Sequence, residues 1–385
     1  MHDIYDRIAF LYALVCQQKA INQRDKEMKT LRSYIGREIY VATGLVFLAL
    51  LSLFAFFDFI HELGDIDKGR YQIGTALIYV FFSLPGRAYE ILPVAVLIGA
   101  LFSLSNFVSN SEYAVMRASG LSMRRTVYAL AQIGVVLSIL TFLFGEFIAP
   151  LGEQAAQRLR LKATTSNVIA QNFRSGLWVK DDNKFVNVAR VMPETVMHNI
   201  KIYEFDADYR LLSISLVKRG EYQSANTWLL KQITRTTFDN DVAQVKNISQ
   251  ARWQSVLSPS ILNMLMVVPE QMSVLDLYSF IDHLRENRQD ASRYEIALWQ
   301  KIVYPFAVLV MIIIALPFAN FGGRQVGVGA KIFLGIMLGL LFHLSNRLFG
   351  HIGLLNAWSP ILSAIFPTFL FLGGAIFMLK KEEER

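Results

Sequence analysis

Basic side chains collect at one end of several hydrophobic segments, where guanidinium and ammonium groups could bind phosphate. Three of them follow Pro150 in the stretch GEQAAQRLRLKATT, namely Arg158, Arg160 and Lys162. Arg158 and Lys162 are four residues apart, so a helix places them on one face. Next to apolar helices, such cations suit a lipid with several phosphates and several acyl chains, because arginine binds phosphate through parallel hydrogen bonds. The same end of the chain's hydrophobic segments carries Lys68, Arg70, Arg87 and Arg347.

The same residues have a simpler interpretation, in which they reach ordinary phospholipid headgroups from the ends of membrane helices. The sequence leaves both open. Three carboxylates raise a separate question, since Asp58, Glu90 and Glu146 lie within or at the ends of hydrophobic segments. Glu90 is the strongest candidate for a proton path, because it lies between prolines inside a long apolar segment.

A short polar stretch, NSEYAVMRASGLSMRR, separates two hydrophobic segments. Glu112, Val115, Met116 and Ser119 have the spacing of one helical face, and Gly120 is placed to end the helix. Such a helix either lies on anionic headgroups or docks into a groove of a partner protein. Glu112 favours docking, because a carboxylate is repelled by an anionic lipid surface.

Other kinds of chemistry are excluded by the motifs. The chain has no H-E-x-x-H, no G-x-S-x-G and no cysteine and histidine spacing typical of a metal site. The glycine-rich stretch FGGRQVGVGAK lacks the G-K-[ST] of a phosphate loop and is interpreted as a tight turn. We therefore expect a protein that is not an enzyme, holds no cofactor of its own, and takes energy from a partner. The single cysteine, Cys16, rules out an intramolecular disulfide.

Hydrophobicity predicts a membrane protein. Hydrophobic residues make up 54% of the 385 residues and charged residues only 18%. Most of the candidate spans are near the length that crosses a bilayer; the second is longer and contains two prolines, and the fifth is short. The six candidate spans are Tyr40–Ile60, Ile73–Val108, Val127–Ile148, Ile302–Ala319, Ile332–Ser345 and Pro360–Leu379.

The net charge of +7 is distributed like that of a membrane protein, and no nucleic-acid partner is expected. With the N-terminus in the cytoplasm, nine basic residues flank the spans on the cytoplasmic side. This orientation puts residues 110–125 in the cytoplasm and residues 150–293 outside it. The nine are Arg32, Arg37, Arg117, Arg124, Arg125, Arg324, Lys331, Lys380 and Lys381.

The segment between the third and fourth spans alternates polar and apolar residues, as β-strands do. GLWVKDDNKFVNVARV and NIKIYEFDADYRLLSISL each have a turn signal between two alternating runs, and TWLLKQITRTTF and QARWQSVL continue the pattern. We predict an antiparallel sandwich or open barrel with two sheets. A helix follows, with Ser273 as its N-cap and Asp276 three residues later.

These patterns divide the chain into five parts. Residues 1–27 form an N-terminal extension, interpreted as an over-called start because Met28 opens a typical start with a basic flank. Residues 28–150 carry the first three spans, with the short helix at about 110–120. Residues 151–272 form the β domain, 273–298 a linking helix, and 299–385 the last three spans.

Five stretches, running through loops as well as spans, resemble the lipopolysaccharide-export permeases of the LptF/LptG family. The resemblance extends from Met28 to Lys381 and includes loop segments that hydrophobicity does not explain. It implies six transmembrane helices with a periplasmic, jellyroll-like all-β domain. The five are SYIGREI, SEYAVMRASG, GEFIAPLGEQ, GLWVKDDNKFVNVARV and SVLDLYSFIDHLRENRQDASRYEIALWQKI.

The resemblance also implies a function and partners. The chain would pair with an LptF-like permease on an LptB-like ATPase dimer, extract lipopolysaccharide from the periplasmic leaflet of the bacterial inner membrane, and pass it to an LptC-like partner and a periplasmic bridge. Both termini would be cytoplasmic, the first and fifth spans would form a lateral gate, and lipid A phosphates would meet the Arg160 neighbourhood. The helix that couples to the ATPase would consist of Glu112, Tyr113, Val115, Met116, Arg117, Ala118 and Gly120.

One departure from the family pattern shifts the expected phosphate contacts. A base is common near the outer end of the first span, and this chain has Asp58 there. We therefore expect Lys68, Arg70 or Arg87 to share that role. Two other functions remain open from the residues: a subunit that transmits force to periplasmic partners without a lipid cavity, which six spans disfavour, and a proton-coupled transporter.

Overall fold

The computed structural model describes residues 2–64, 66, 71–163, 177–181, 183–192, 196–206, 210–224, 227–239, 242–255, 268–286, 289–323 and 325–384. In chain order, two groups of helices are separated by a run of β-strands. The helices are α1 (His2–Leu63), α2 (Ile73–Ser109), α3 (Glu112–Ala118), α4 (Met123–Leu143), α5 (Ala149–Ala163), α6 (Val274–Glu286), α7 (Ser292–Asn320), α8 (Val328–Leu355) and α9 (Pro360–Glu383). The strands are β1 (Leu177–Asp181), β2 (Lys184–Met192), β3 (Val196–Phe205), β4 (Leu211–Ser224), β5 (Thr227–Asp239) and β6 (Val242–Gln254).

Six helical segments of the described chain are long and apolar enough to cross a membrane, which confirms the predicted number of spans. They are longer than the apolar cores seen in the sequence because polar turns continue each helix beyond the hydrocarbon. The fifth, which hydrophobicity left shortest, is a helix of 28 residues. The six are Thr30–Leu63, Ile73–Ser109, Met123–Arg160, Ser292–Asn320, Val328–Leu355 and Pro360–Glu383.

The second and fourth spans, α2 and α7, form the centre of the helical bundle. They are the two most buried spans, and α1, α4, α8 and α9 pack around them. α1 packs mainly on α2 at a close approach that requires glycine: a Cβ on Gly99 would lie 2.5 Å from the Cα atom of Thr43. The helical half of the predicted fold class is confirmed.

The third span contains a π-turn at Phe144–Ile148, between α4 and α5. The turn directs Glu146 toward the start of α6, where its Oε2 atom accepts a hydrogen bond from the backbone N–H of Val274 at 2.9 Å. Ser273 caps the same helix through the N–H of Asp276 at 3.0 Å, so the predicted N-cap is confirmed. The third span is thereby joined directly to the segment that returns from the sheet.

The linking segment is divided, where the sequence analysis predicted one helix over 273–298. α6 ends at Glu286, and α7, which becomes the fourth span, begins at Ser292. The corner has its own contacts: Asp290 accepts hydrogen bonds from the N–H and hydroxyl of Ser292, and Arg285 forms an ion pair with Glu295 at 2.7 Å. Asp290 thus accepts a hydrogen bond from the first N–H of α7.

The described strands form one antiparallel six-stranded sheet in the order β1 to β6. Both predicted hairpins are confirmed, since β1 pairs with β2 and β3 pairs with β4. The apolar core of the sheet includes Val186, Ile200 and Trp228. The β half of the fold class is confirmed as antiparallel, whereas the described strands make one sheet where the sequence analysis expected two.

A shared irregular row crosses this sheet. Asn199 in β3 and Gln232 in β5 have left-handed backbones, with φ of 53° and 55°, and both lie opposite Lys218 of β4. Buried residues on either side of the row are three positions apart, as in Leu230 and Ile233, where a regular strand spaces them by two. The extra residue that each of these strands has at the row keeps the apolar side chains before and after it on the same face of the sheet, which is the face of the apolar core.

Candidate functional site: a cationic cavity and an exposed short helix

A cavity of about 840 Å³ opens between α2, α7, α8 and α9 at the end of the bundle that faces the sheet. We call it the cationic cavity, because basic side chains outnumber acidic ones in its wall. Its acidic residues are Glu90 and Glu270. Its basic residues are Arg87, Arg293, Lys301, His343, Arg347 and His351.

Three of these basic residues come from one face of α8. His343, Arg347 and His351 are spaced by four residues, so successive helical turns place them in a line along the cavity wall. The described residues give Arg347 no ion-pair partner, which leaves its guanidinium available to a ligand. The sequence analysis identified Arg347 alone, although the i, i+4, i+8 spacing of the three was visible in the sequence.

Two further basic residues were missed because they lie in a segment that the sequence analysis treated as a linking helix and the start of a span. Arg293 lies within 3.9 Å of Glu270. Lys301 is buried and donates a hydrogen bond to the backbone oxygen of Met272, and its ammonium group lies 5.7 Å from the ring centre of Tyr89. Lys301 thus ties the fourth span to the segment that precedes α6.

Arg87 is in the cavity wall, as its prediction as a phosphate ligand requires, but it is already bound to carboxylates. Its Nε and Nη2 atoms contact the two oxygens of Asp58 at 2.7 and 2.8 Å, and Nη1 contacts Glu90 at 3.0 Å. This two-pronged contact is the same geometry with which arginine binds phosphate. Asp58, which stands where the family pattern has a base, therefore occupies the Nε and Nη2 atoms of Arg87, through which the arginine would bind a phosphate.

Arg160 lies outside the cavity wall and has a similar carboxylate partner. Its Nη1 atom lies 3.6 Å from Glu62, which is buried and also accepts a hydrogen bond from the hydroxyl of Tyr71 at 2.6 Å. The Arg160 guanidinium lies 5.4 Å from the ring centre of Tyr79. Since Glu62 and Asp58 are one turn apart on α1, two arginine–carboxylate contacts hold the end of α1 against α2 and α5.

The other predicted phosphate ligands are not brought together by the described structure. Arg158 is exposed on α5. Lys68, Arg70 and the side chain of Lys162 lie outside the described residues. Of the seven predicted residues, the cavity wall contains Arg87 and Arg347.

The three carboxylates considered for a proton path all have structural contacts. Asp58 and Glu90 share the guanidinium of Arg87, and the backbone oxygen of Glu90 accepts a hydrogen bond from the hydroxyl of Tyr304 at 2.6 Å. Glu146 caps α6, as described above. These contacts explain why carboxylates are present in the spans without any need for proton transfer.

At the opposite end of the bundle, the helix α3 spans Glu112–Ala118 and ends as predicted. Gly120 has a φ of 100°, and the N–H of Leu121 bonds back to the oxygen of Met116 at 3.1 Å. These are the features of a helix ended by a left-handed glycine. The chain then enters α4 directly, with Ser122 as its N-cap.

The face of α3 predicted to dock is exposed only in part: Val115 and Ser119 are exposed, whereas Met116 is buried. Met116 and Tyr113 are buried in the core of this chain, and burial raises the pKa of the Tyr113 hydroxyl. Glu112 is held by the hydroxyl of Tyr34 at 3.0 Å. The spacing i, i+3, i+4 identified one helical face but could not tell whether it faces inward, and the apolar Met116 turns to the core. The exposed face consists of Ala114, Val115, Arg117 and Ala118, with Ser119 and Gly120 at its end.

Comparisons with known proteins agree with these features along nearly the whole chain. The profile of the family described as lipopolysaccharide export system permease LptF/LptG matches residues 33–381. The chain is 32% identical over 358 residues to the lipopolysaccharide export system permease protein LptG of Haemophilus influenzae, covering 93% of this chain and 100% of that protein. It is 29% identical over 355 residues to LptG of Escherichia coli K12, covering 91% of this chain and 97% of that protein. The chain belongs to the LptF/LptG family of lipopolysaccharide export permeases.

Proposed function

We propose that this chain is a transmembrane subunit of an ATP-driven lipopolysaccharide extractor in the bacterial inner membrane. It would take lipopolysaccharide from the periplasmic leaflet and pass it to a periplasmic bridge through its β domain. Family membership supports a role as a transport permease rather than an enzyme. The observation that carries the proposal further is the cationic cavity, which lies between spans and opens toward the end that carries the sheet.

The cavity suits the phosphates of lipid A. Arg347 supplies a guanidinium with no ion-pair partner among the described residues, and His343 and His351 lie one turn on either side of it. Spans that present apolar side chains around the cavity would accommodate acyl chains. We therefore propose Arg347 as the first phosphate ligand, with Arg87 and Arg160 entering only when a phosphate displaces Asp58 and Glu62.

A crosslinking experiment tests this assignment. A photoreactive group placed at Leu354 in the cavity wall should crosslink to lipopolysaccharide in membranes. Arg347→Glu should reduce that crosslink by about tenfold or more, because a lost hydrogen bond to a charged group costs about 1.5–3 kcal/mol and the new carboxylate repels the phosphate. Arg158→Glu is the matched control, since Arg158 is exposed and outside the cavity wall. Equal crosslinking in wild type and Arg347→Glu would refute the assignment of the phosphate site.

Energy would enter through α3. We propose that a cytoplasmic ATPase dimer receives the exposed face of α3, formed by Ala114, Val115, Arg117 and Ala118, and that its closure moves α2 and α4, which flank the helix. A second, LptF-like permease would complete the cavity, and an LptC-like partner would accept the lipid. The positive charge at the α3 end of the spans supports a cytoplasmic location for that end.

Replacement of Val115 tests the coupling. Val115 is 67% exposed, so Val115→Lys should leave the fold intact while placing a charge in the docking face. We expect loss of ATPase co-purification, or ATP hydrolysis that no longer drives transport. Leu275→Lys is the matched control, because Leu275 is 75% exposed on α6, at the other end of the bundle. Normal assembly and transport by Val115→Lys would refute the docking proposal.

Co-purification tests the whole assignment. The chain, isolated from native membranes, should carry a second permease, an ATPase and bound lipopolysaccharide. The purified chain alone should neither hydrolyse ATP nor move lipopolysaccharide from vesicles. Either activity in the absence of other proteins would overturn the division of roles proposed above.

A further inference from the structure

A second groove lies between α1 and α4, at the end of the bundle that carries α3 and away from the cationic cavity. Its volume is about 550 Å³, and it forms because α1 packs mainly on α2 and only lightly on α4. We call it the α1–α4 groove. The wall residues that matter here are Arg32, Arg37, Tyr40 and Val41 of α1, with Gln132 and Val136 of α4.

Two arginines line this groove, and its lining includes no carboxylate. The Arg32 guanidinium lies 5.2 Å from the ring centre of Tyr128, which orients it beside the groove. Its Nε atom is buried, and no residue of the described part of the chain accepts a hydrogen bond from it. A buried donor without an acceptor costs free energy, so the described residues leave the Arg32 guanidinium incompletely hydrogen-bonded.

Arg37 supplies the second charge, and within the described ranges it has no ion pair. Three arginines elsewhere in the bundle have carboxylate partners: Arg87 and Arg160 bind carboxylates of α1, and Arg124 lies 3.4 Å from Glu383. The α1–α4 groove thus combines two guanidinium groups and lacks, among its lining residues, a carboxylate of the kind that pairs with those three arginines.

The groove changes character along the span. The arginines lie in the first two turns of the membrane segment that begins at Thr30, at the depth of lipid headgroups. Toward the middle of the bilayer the wall becomes apolar, with Tyr40, Val41 and Val136 at 39%, 55% and 53% exposure. A charged end followed by an exposed apolar wall matches the shape of one phospholipid, with its phosphate at the helix end and an acyl chain along the helices.

We propose that an anionic phospholipid of the leaflet on the α3 side occupies the α1–α4 groove. Its phosphate accepts hydrogen bonds from the guanidinium groups of Arg32 and Arg37, and one acyl chain lies against Tyr40, Val41 and Val136. Bulk lipid would contact exposed cations without holding them. Here the Arg32 guanidinium, stacked on Tyr128, and the groove between the two helices bind one lipid molecule, which contacts both α1 and α4. The inference does not rest on the proposed transport function.

Native mass spectrometry tests the site on the full chain, purified in its natural complex. Wild-type protein incubated in detergent with phosphatidylglycerol should retain it in preference to phosphatidylcholine. Arg32→Gln/Arg37→Gln should weaken retention roughly twenty- to thirtyfold, because each arginine near a lipid surface contributes about fivefold. Lys380→Gln/Lys381→Gln is the matched control: it removes the same charge from the α3 end outside the groove, and should change retention less than twofold.

Three results would overturn the proposal. They are equal retention by wild type and the double arginine variant, equal retention of the two lipids, and displacement of phosphatidylglycerol by inorganic phosphate, which would assign the arginines to a free anion. If the double variant does not fold, Val136→Trp provides the test. Val136 is exposed, so the tryptophan should be tolerated, fill the apolar wall and reduce lipid retention with both arginines present.

Discussion

Removing the carboxylate of Glu146 should loosen the start of α6, where the third span joins the segment that returns from the sheet. Glu146 accepts a hydrogen bond from the N–H of Val274 at 2.9 Å, one of the first N–H groups of the helix. A charged cap of this kind contributes about 0.5–2 kcal/mol through the hydrogen bond and about 0.3–1 kcal/mol through the helix dipole. Glu146→Ala should therefore cost about 1–3 kcal/mol of local stability.

Hydrogen exchange measures this loss without any transport assay. A destabilisation of about 1.4 kcal/mol raises the population of the open state, and so the exchange rate, about tenfold. We expect faster exchange in a peptide covering residues 268–280 and unchanged exchange in β5. Glu146→Gln keeps an oxygen acceptor and loses only the charge, so its exchange should lie between those of wild type and the alanine variant.

If residues 268–280 exchange as slowly in Glu146→Ala as in the wild type, this reasoning is wrong. That result would mean that the remaining cap, in which Ser273 accepts from the N–H of Asp276 at 3.0 Å, holds the helix start alone. Ser273→Ala separates the two caps, because it removes that bond and leaves the Glu146 contact in place. Faster exchange in Ser273→Ala alone would assign the junction to Ser273.

Three further predictions concern the bundle and its border with the sheet. Arg87→Ala should lower the free energy of unfolding by about 1–3 kcal/mol, because it leaves carboxylates without their counter-ion in a partly exposed site. Adding Asp58→Ala should restore part of this loss, as measured by thermal melting. No recovery in the double variant would argue against the ion pair. Gly99→Ala should lower the melting temperature by an amount equivalent to about 1–3 kcal/mol, because the new Cβ would lie 2.5 Å from the backbone of α1. Gly374→Ala is the control, because a Cβ at that position meets no atom within 4 Å. Equal melting temperatures of the two variants would contradict close packing at Gly99. Burial lowers the pKa of His283 below its ordinary 6.5 against the opposing effect of nearby acidic side chains. The unfolded chain then binds the proton more tightly, so stability is present above pH 6.5 and is lost as the pH falls through the lower folded value. His283→Gln should flatten the decline in melting temperature between pH 7.5 and 5.5, and an unchanged decline would exclude His283 as its cause.

The sequence determined the parts of this protein that depend on local pattern. Long apolar runs give membrane helices whatever surrounds them, because the backbone in a bilayer must satisfy its own hydrogen bonds. Alternating residues around Asp181 and Asp206 marked hairpins, Gly120 marked a helix end, and Ser273 marked a helix start. Each of these features depends on neighbours within a few residues, so a single sequence is sufficient to predict it.

Only the tertiary structure decided how the charged and amphipathic residues are used. Arg87 and Arg160 looked like free phosphate ligands, but carboxylates on α1, distant in sequence, bind them. Met116 matched a docking face, yet it packs inward. The sequence fixes neither result, because ion pairs and burial depend on which helix faces lie together. That is set by packing over the whole bundle, such as the approach of α1 to α2 at Gly99, and not by spacing along one helix.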